Sequence, residues 1–322
     1  MGIAQVLVCR SNSPLIGTLI GVPNLKVISI SSLSNPNLSG HFKVGRSYSI
    51  LHAHEPHAEQ WCFVHYLFFG TPYIITERHP NPTRYGFFNR TIYTSAAALV
   101  GISHLIQRNL HSMFGRPVYC VNDCSSHIRP NPEVVQRLRM ANKNRLVIGH
   151  VGALVDREKG QSVLLEVAKI LRLKVPELVV VFVGAGPDAE ELRLKAHGMP
   201  NIRFAGFKRY ATDYIASFDI FVYPVNVEPR GSIILDAMEL GVPVIASNVD
   251  GIPSIIKNGF NGLLVKPGDA NTIANYIIAL KRDIGLRSTL IRNGRETVKQ
   301  FTINNMAASY YRIYVDSLRK AK

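Results

Sequence analysis

From Leu146 onward the chain alternates short apolar runs with stretches of helical periodicity, and this rhythm limits its fold more than any other feature. Strands are expected at 146–151, 178–183, 202–204, 220–223, 244–247 and 263–265. Helical patterns fall between and after them, at 161–173, 189–197, 212–217, 232–240, 253–257 and 271–282, followed by short helices from Leu286 and a last one at 305–318. Such alternation describes a parallel sheet covered by helices. The first half repeats it less cleanly, with strands expected at 5–9, 25–30, 49–52, 73–76, 97–101 and 118–121 and helices at 58–69, 87–93 and 103–114. Between the halves, residues 125–144 turn polar and basic around R-P-N-P and read as a linker. Two doubly wound domains of this kind hold ligands at the carboxyl ends of their strands.

With 322 residues, 47% apolar and 18% charged, the chain is long enough for two ordinary domains, and disorder is excluded. No apolar run approaches the roughly 18 residues of a membrane span, and the N-terminus lacks the basic flank and long apolar core of a secretory signal. A cytoplasmic location is expected. Cys9, Cys62, Cys120 and Cys124 are too few and irregular for a disulfide framework, and C-V-N-D-C has no second ligand pair for zinc. The net charge of +15 is spread over both halves. Without a nucleic-acid reading motif or a Lys/Arg run, it points to an anionic membrane surface or a phosphorylated glycolipid, not to nucleic acid.

The stretch V-E-P-R-G-S-I-I-L-D-A-M-E-L places Glu228 in a Pro-Gly turn and Asp236 in the following helix. If that helix begins near Gly231, its free N–H groups and positive dipole end form a seat for phosphate. Pro229 fixes the turn and Gly231 permits close approach of a ligand. Asp236 then lies about 7 to 8 Å further along the axis, roughly the reach of a diphosphate between two sugars. Its bland counterpart is a packing helix with Ile233, Ile234, Ala237, Met238 and Gly241 on one face. H-V-G-A-L-V-D-R-E-K-G-Q, from His150, also follows a strand and opens a helix: Gly152 leaves room for a phosphate and Lys159 reaches over it, while Asp156 reads as surface charge. V-F-V-G-A-G-P-D lacks the third glycine of a dinucleotide fingerprint, so Gly184 and Gly186 read as turn formers and an oxidoreductase is a weak alternative. L-H-A-H-E-P-H ends a strand of the first half, and T-E-R-H-P adds Arg78 and His79 at the next strand end. The aromatic helix W-C-F-V-H-Y-L-F-F reads as core, with contact to a bilayer as the alternative.

E-P-R-G-S-I-I-L-D-A-M-E-L-G-V-P-V-I-A-S-N-V-D-G-I-P resembles the signature segment of retaining GT-B glycosyltransferases of family 4, which includes lipopolysaccharide-core and glycolipid mannosyl transferases. The resemblance runs from about Gln5 to the C-terminus and is strongest over 147–267. It implies an α/β GT-B fold of two facing, doubly wound Rossmann-like domains with parallel sheets. The acceptor-side domain would span 1–143, shortened because the family's first strand and glycine-rich loop have no counterpart before Gln5. The nucleotide-sugar domain would span 144–304, and a helix at 305–322 would return to the first domain.

The resemblance further implies transfer of a hexose or heptose from a nucleotide-diphosphate sugar to a glycan or glycolipid, in cell-surface polysaccharide or lipopolysaccharide synthesis, at the inner face of the membrane. It implies no cofactor and no metal beyond that co-substrate. Lys159 would grip the diphosphate beside Gly152, with Arg157 standing in for the family arginine that Ala153 replaces. The turn of Pro229, Gly231 and Ser232 would offer its N–H groups, Glu228 would hold sugar hydroxyls and Asp236 the ribose. His54, favoured over His52, would contact the transferred sugar or the acceptor. Asp236 is one methylene shorter than the more frequent glutamate, and Ser254 stands where a glutamate is common. The rival reading is a non-catalytic nucleotide-sugar-binding scaffold of a glycan-synthesis complex, consistent with the missing N-terminal loop.

Overall fold

Aliphatic and β-branched runs form strands in both halves of the computed structural model, which describes residues 3–19, 21–30, 39–79 and 86–320. Two units emerge, the first comprising Met1–Ile102, Ile106–Val121 and Ser309–Lys322, the second Ser103–Leu105 and Asn122–Ala308.

The first unit begins with β1 (Gln5–Arg10), α1 (Leu15–Thr18) and β2 (Leu25–Ile30), β1 and β2 pairing in parallel with Gln5 opposite Leu25. Next come α2 (His41–Val44), β3 (Leu51–Ala53), α3 (Pro56–Phe69), β4 (Tyr73–Glu77), α4 (Phe87–Ser95), β5 (Ala98–Gly101), α5 (His104–Phe114) and β6 (Val118–Cys120). The strands β3-β4-β5-β6 make a parallel sheet in that order. Tyr73, Ile75, Leu99, Ile106 and Leu110 form its core with Trp61 of α3. The aromatic helix expected as core is divided along its length. Trp61, Cys62, Phe63 and His65 are buried, whereas Tyr66, Leu67 and Phe68 are exposed. Pro56 opens α3 and Gly70 closes it at φ 71°, a left-handed cap that glycine adopts without a Cβ penalty.

The second unit contains α6 (Pro132–Ala141), β7 (Leu146–Val151), α7 (Asp156–Lys159), α8 (Gln161–Leu171), β8 (Leu178–Val183), α9 (Ala189–Lys195), β9 (Ile202–Gly206), α10 (Ala211–Ile215) and β10 (Ile220–Tyr223). It continues through α11 (Ser232–Glu239), β11 (Val244–Ser247), a 3-10 turn at Ile252–Ser254, β12 (Leu263–Val265), α12 (Ala270–Arg282) and α13 (Ile284–Val298). Its sheet is wholly parallel in the order β12-β11-β10-β7-β8-β9, the doubly wound arrangement. Alternate residues face opposite layers, as the two-residue period of a strand requires. Ile148, Val180, Phe182 and Val222 pack with Leu164 and Ala168 of α8 and Ile273 and Ile277 of α12. Val147, Val179, Val181 and Phe221 pack with Ile234, Ala237 and Met238 of α11. Both units are therefore Rossmann-like α/β folds with parallel sheets.

Two expectations change here. The polar stretch 125–144 is not a plain linker, because α6 forms within it. Asn131 caps α6 by accepting the N–H groups of Glu133 and Val134, and Pro132 occupies the first turn, where its missing N–H is harmless. The segment clusters with the second unit because Asn131 N–H donates to Asp213 Oδ1 (2.7 Å) and Arg139 to Ala216 O (2.8 Å). Between Leu286 and the last helix the chain forms one helix, α13, not several short ones. Gly294 is where α13 packs closely on Met238, a Cβ there lying 3.2 Å from Met238 Cγ.

The last helix, α14 (Ile303–Lys320), belongs to the first unit from Ser309 onward. His52, in the middle of β3, ties it down. Its Nδ1 lies 2.8 Å from Tyr314 Oη and its Nε2 2.7 Å from Thr76 Oγ1, while Thr76 also donates to Tyr310 Oη at 3.3 Å.

Candidate functional site

The strand order of the second unit reverses between β7 and β10, so the loops leaving their carboxyl ends diverge and open a crevice. The β7 loop is braced from within. Asp156 N–H donates to Asp188 Oδ2 (2.7 Å), and the Asp156 carboxylate accepts the Ser162 N–H (2.7 Å) and hydroxyl and the Lys195 ammonium (3.4 Å). Burial pushes the Asp156 carboxyl up, but the Ser162 donors and Lys195 outweigh it and hold it below its ordinary value. Asp156, expected as surface charge, thus fixes its own turn.

The two loops also touch each other. Gly160 sits at φ 64°, and a Cβ there would lie 2.1 Å from Pro224 O, so no other residue fits without backbone movement. Asn226 Nδ2 donates to Arg157 O (2.9 Å), and the N–H groups of Asn226 and Val227 donate to Glu158 O (2.8 and 3.2 Å). These bonds dock α7 on the β10 loop.

That docking brings Lys159 Nζ to 2.9 Å from Glu228 Oε2, both side chains being largely buried. Tyr223 donates its hydroxyl to the same oxygen, and Glu228 Oε1 accepts the N–H groups of Arg230 (3.2 Å) and Gly231 (3.1 Å). Four donors therefore fill the roughly four acceptor positions of the carboxylate. Burial pushes the Glu228 carboxyl up; the Lys159 charge, the Tyr223 hydroxyl and the Gly231 N–H more than reverse this and leave it below its ordinary value. Tyr223, raised by burial and by Glu228, remains a neutral donor. Beneath it lies His150, stacked on the Tyr223 ring at 5.5 Å. Its Nδ1 is 3.3 Å from Val222 O and its Nε2 3.3 Å from Gln161 Nε2, so Nδ1 donates to the carbonyl and Nε2 accepts. Complete burial holds this imidazole at about 4, and it is neutral at pH 7. Neither Tyr223 nor His150 was singled out by sequence, since both lie inside apolar strands.

The Gly231 N–H, expected to face a phosphate, is instead taken by Glu228, because the Pro-Gly turn folds the carboxylate back onto its own backbone. Gly231 itself is left-handed, φ 72°. The donors left at the head of α11 are the N–H groups of Ser232 and Ile233, whose positions in the first helical turn give them no intrahelical carbonyl. Asp236, further along α11, is buried, and both of its recorded bonds fall on Oδ1, from Ser125 Oγ (3.0 Å) and Ser126 N–H (2.8 Å). Glu239 Oε2 competes with Asp236 for the one hydrogen of the Ser125 hydroxyl, and together with the Ser126 N–H bond this contact anchors the chain entering α6 on the helix.

Gly152 is half-buried at the end of β7 and bonds Val183 O (3.0 Å). Pro229 lies against Gly251, where a Cβ would meet Pro229 O at 2.3 Å. Gly184 and Gly186 serve close approach as well as turning: Cβ atoms there would lie 1.9 Å from Gly152 O and 2.3 Å from Leu154 O. The Arg157 side chain is 90% exposed and 4.0 Å from Glu158. His54 belongs to the first unit, exposed, with its ring 3.9 Å from that of His52. The second unit thus brings together Lys159, Glu228, Pro229, Gly231 and Ser232, with Gly152 and Arg157 on the same β7 loop and Asp236 on α11.

The model of the family described as glycosyl transferases group 1 matches residues 136–297, half of the chain. Among curated proteins, the sulfoquinovosyl transferase SQD2 of Arabidopsis thaliana is 34% identical over 173 residues, 51% of this chain and 32% of that protein. The lipopolysaccharide core biosynthesis glycosyltransferase LpsE of Rhizobium meliloti is 30% identical over 171 residues, 52% of this chain and 49% of its own length. The chain thus spans half or less of these relatives. Among solved structures, Anabaena Alr3699/HepE in complex with UDP-glucose superposes with a TM-score of 0.79 at 19% identity, over 98% of this chain and 99% of that one. A glycosyltransferase from Rickettsia africae gives 0.80 at 16% identity, covering 98% of each chain. The structural neighbours are GT-B glycosyltransferases, and this chain shares their fold.

Proposed function

We propose, from the premise that this chain belongs to the glycosyl transferases group 1 family, that it is a retaining transferase of the kind grouped as family 4. It moves a hexose or heptose from a nucleotide-diphosphate sugar to a hydroxyl of a glycan or glycolipid, in building cell-surface polysaccharide or lipopolysaccharide. The observation that carries this reading is the Lys159 ammonium, held by Glu228 beside the unpaired N–H groups at the head of α11, in the crevice where the sheet order reverses. That Anabaena HepE was solved with UDP and with UDP-glucose supports a UDP-sugar as the first donor to try.

In the reaction the bond from the anomeric carbon to the diphosphate oxygen breaks and a bond to the acceptor oxygen forms on the same face. The acceptor's proton passes to a phosphate oxygen of the leaving group. Negative charge grows on the departing diphosphate. Lys159 has two N–H donors beyond the one given to Glu228, and these, with Ser232 and Ile233, are aimed at that charge without having to reorganise. Arg157 swings in from solvent as a second cation, and Gly152 leaves space for the phosphate. Glu228 orients Lys159 and accepts a sugar hydroxyl in exchange for one of its present donors. Asp236, fixed through Oδ1, turns its other oxygen to the ribose. His54 of the first unit contacts the transferred sugar or the acceptor. A cradle of lysine and helix end carries the charge without a metal or other cofactor.

The test is transfer measured across a panel of UDP, GDP, ADP and CMP sugars. With the best donor, Lys159→Ala and Glu228→Ala should each lower turnover by about two orders of magnitude or more. Near wild-type turnover in both variants would refute the assignment, and nucleotide binding without donor consumption would identify a scaffold instead.

A further inference from the structure

The first unit carries a surface that donor chemistry does not use. Phe42 on α2 is 86% exposed, and at the end of α3 Leu67 and Phe68 are 64% and 54% exposed. Phe42 and Phe68 form one patch, with Leu67 beside Phe68 in the chain. The Phe42 ring lies 6.4 Å from that of Phe68 and 5.7 Å from that of Phe69. The patch has a firm base, since His41 is buried between Trp61 (4.6 Å, stacked) and Phe68 (5.6 Å), and His65 Nε2 meets Gly45 O at 3.2 Å. Exposed aromatic rings on a fixed support cost free energy in water, and contiguous ones mark a contact surface.

The charge around them selects the partner. Lys43 and Arg46 are exposed on the same short segment as Phe42. From residue 1 to 121 there are nine Lys/Arg and only three acidic residues, Glu55, Glu59 and Glu77. Glu59 and Glu77 are buried. Glu55 precedes α3, a helix of 14 residues or about 20 Å, at the end opposite Phe68. A second copy would bring an equally cationic face and be repelled. An anionic bilayer offers phosphates to the two cations and an apolar layer within reach of the rings.

We propose that Phe42, Leu67 and Phe68, flanked by Lys43 and Arg46, form the face by which the first unit docks on an anionic membrane surface. This deepens the glycolipid reading above by giving it a place of action, but it rests on the surface and not on the donor site. No helix among the described residues is long and apolar enough to cross a membrane, so contact through this face is interfacial.

The full chain should be sedimented with vesicles of phosphatidylcholine alone and of phosphatidylcholine with 30% phosphatidylglycerol, at low and high salt. Wild type should bind the anionic vesicles at least about ten-fold more tightly than the neutral ones, and salt should weaken it. Phe42→Ser/Phe68→Ser should lower binding to anionic vesicles by about ten-fold or more. Lys43→Glu/Arg46→Glu should abolish the preference for them, and donor hydrolysis in solution should be unchanged in both variants. Absence of wild-type binding, binding undiminished in the aromatic variant, or a dimer that the aromatic variant dissolves would each overturn the proposal. Docking that survives while the enzyme shows no transfer would count against the activity alone.

Discussion

Glu59 allows the electrostatics of the first unit to be tested quantitatively. Tyr93 Oη lies 2.6 Å from Glu77 Oε2 and 3.1 Å from Glu59 Oε1, and a phenol has one hydrogen to give. Glu77 also accepts the N–H groups of Arg78 and His79, both at 2.9 Å, which marks it as the acceptor of the shorter bond. A protonated Glu59 can donate to the phenol oxygen instead, so the arrangement favours its acid form. Burial first, and the charge of Glu77 second, push its carboxyl from 4.5 to about 7. A proton held more tightly in the folded chain gives stability that is complete below pH 4.5 and is lost as pH rises to 7. The interval from 4.5 to about 7 at about 1.36 kcal/mol per pH unit comes to about 3 kcal/mol. His150 in the second unit acts oppositely, its depressed imidazole adding stability as pH rises from about 4 to 6.5. The informative quantity is therefore the difference between wild type and Glu59→Gln, whose amide donates to Tyr93 without titrating. Urea unfolding followed by Trp61 fluorescence suits it, because Trp61 is the single tryptophan of the chain and shares α3 with Glu59. Between pH 4.5 and 8 the variant should gain about 3 kcal/mol on wild type. A difference that stays flat across that range would refute the reasoning.

Two further substitutions probe the second unit. Tyr223→Phe removes one donor from the buried Glu228 and should cost about 2 kcal/mol in urea unfolding followed by far-UV circular dichroism, with no loss pointing to a dispensable bond. Gly160→Ala places a Cβ 2.1 Å from Pro224 O at φ 64°. It should cost about 1 to 3 kcal/mol and displace Lys159, lowering turnover about ten-fold; an unchanged rate would show that this loop contact does not set the lysine.

The strands of the second unit were legible because helices cover both faces of its sheet. Burial on both sides leaves no polar alternation, so β8, β10 and β12 stand out as uninterrupted apolar runs, β7 and β11 carry a single polar residue each, His150 and Ser247, and all five keep their expected bounds. In the first unit, β3 begins at Leu51 instead of 49, since its short run carries His52 and gives no sharp edge. The missed helix α6 did have a signal in N-P-E, a cap, a proline and an acidic first turn, but the neighbouring prolines and charges masked it. At the site, sequence singled out Lys159 and Glu228 separately. Their pairing depends on α7 docking against Asn226 and Val227, about seventy positions away in the chain, which periodicity does not encode. The same holds for Glu59, Tyr93 and Glu77, which meet only once α3, α4 and β4 have packed together.

The central claim is that the diphosphate of the donor rests on Lys159 and the open end of α11. A crystal structure of the chain with UDP-glucose tests it most directly. The account expects diphosphate oxygens within about 3 Å of Lys159 Nζ and of the Ser232 N–H. A diphosphate bound elsewhere, with Lys159 still given wholly to Glu228, would contradict it.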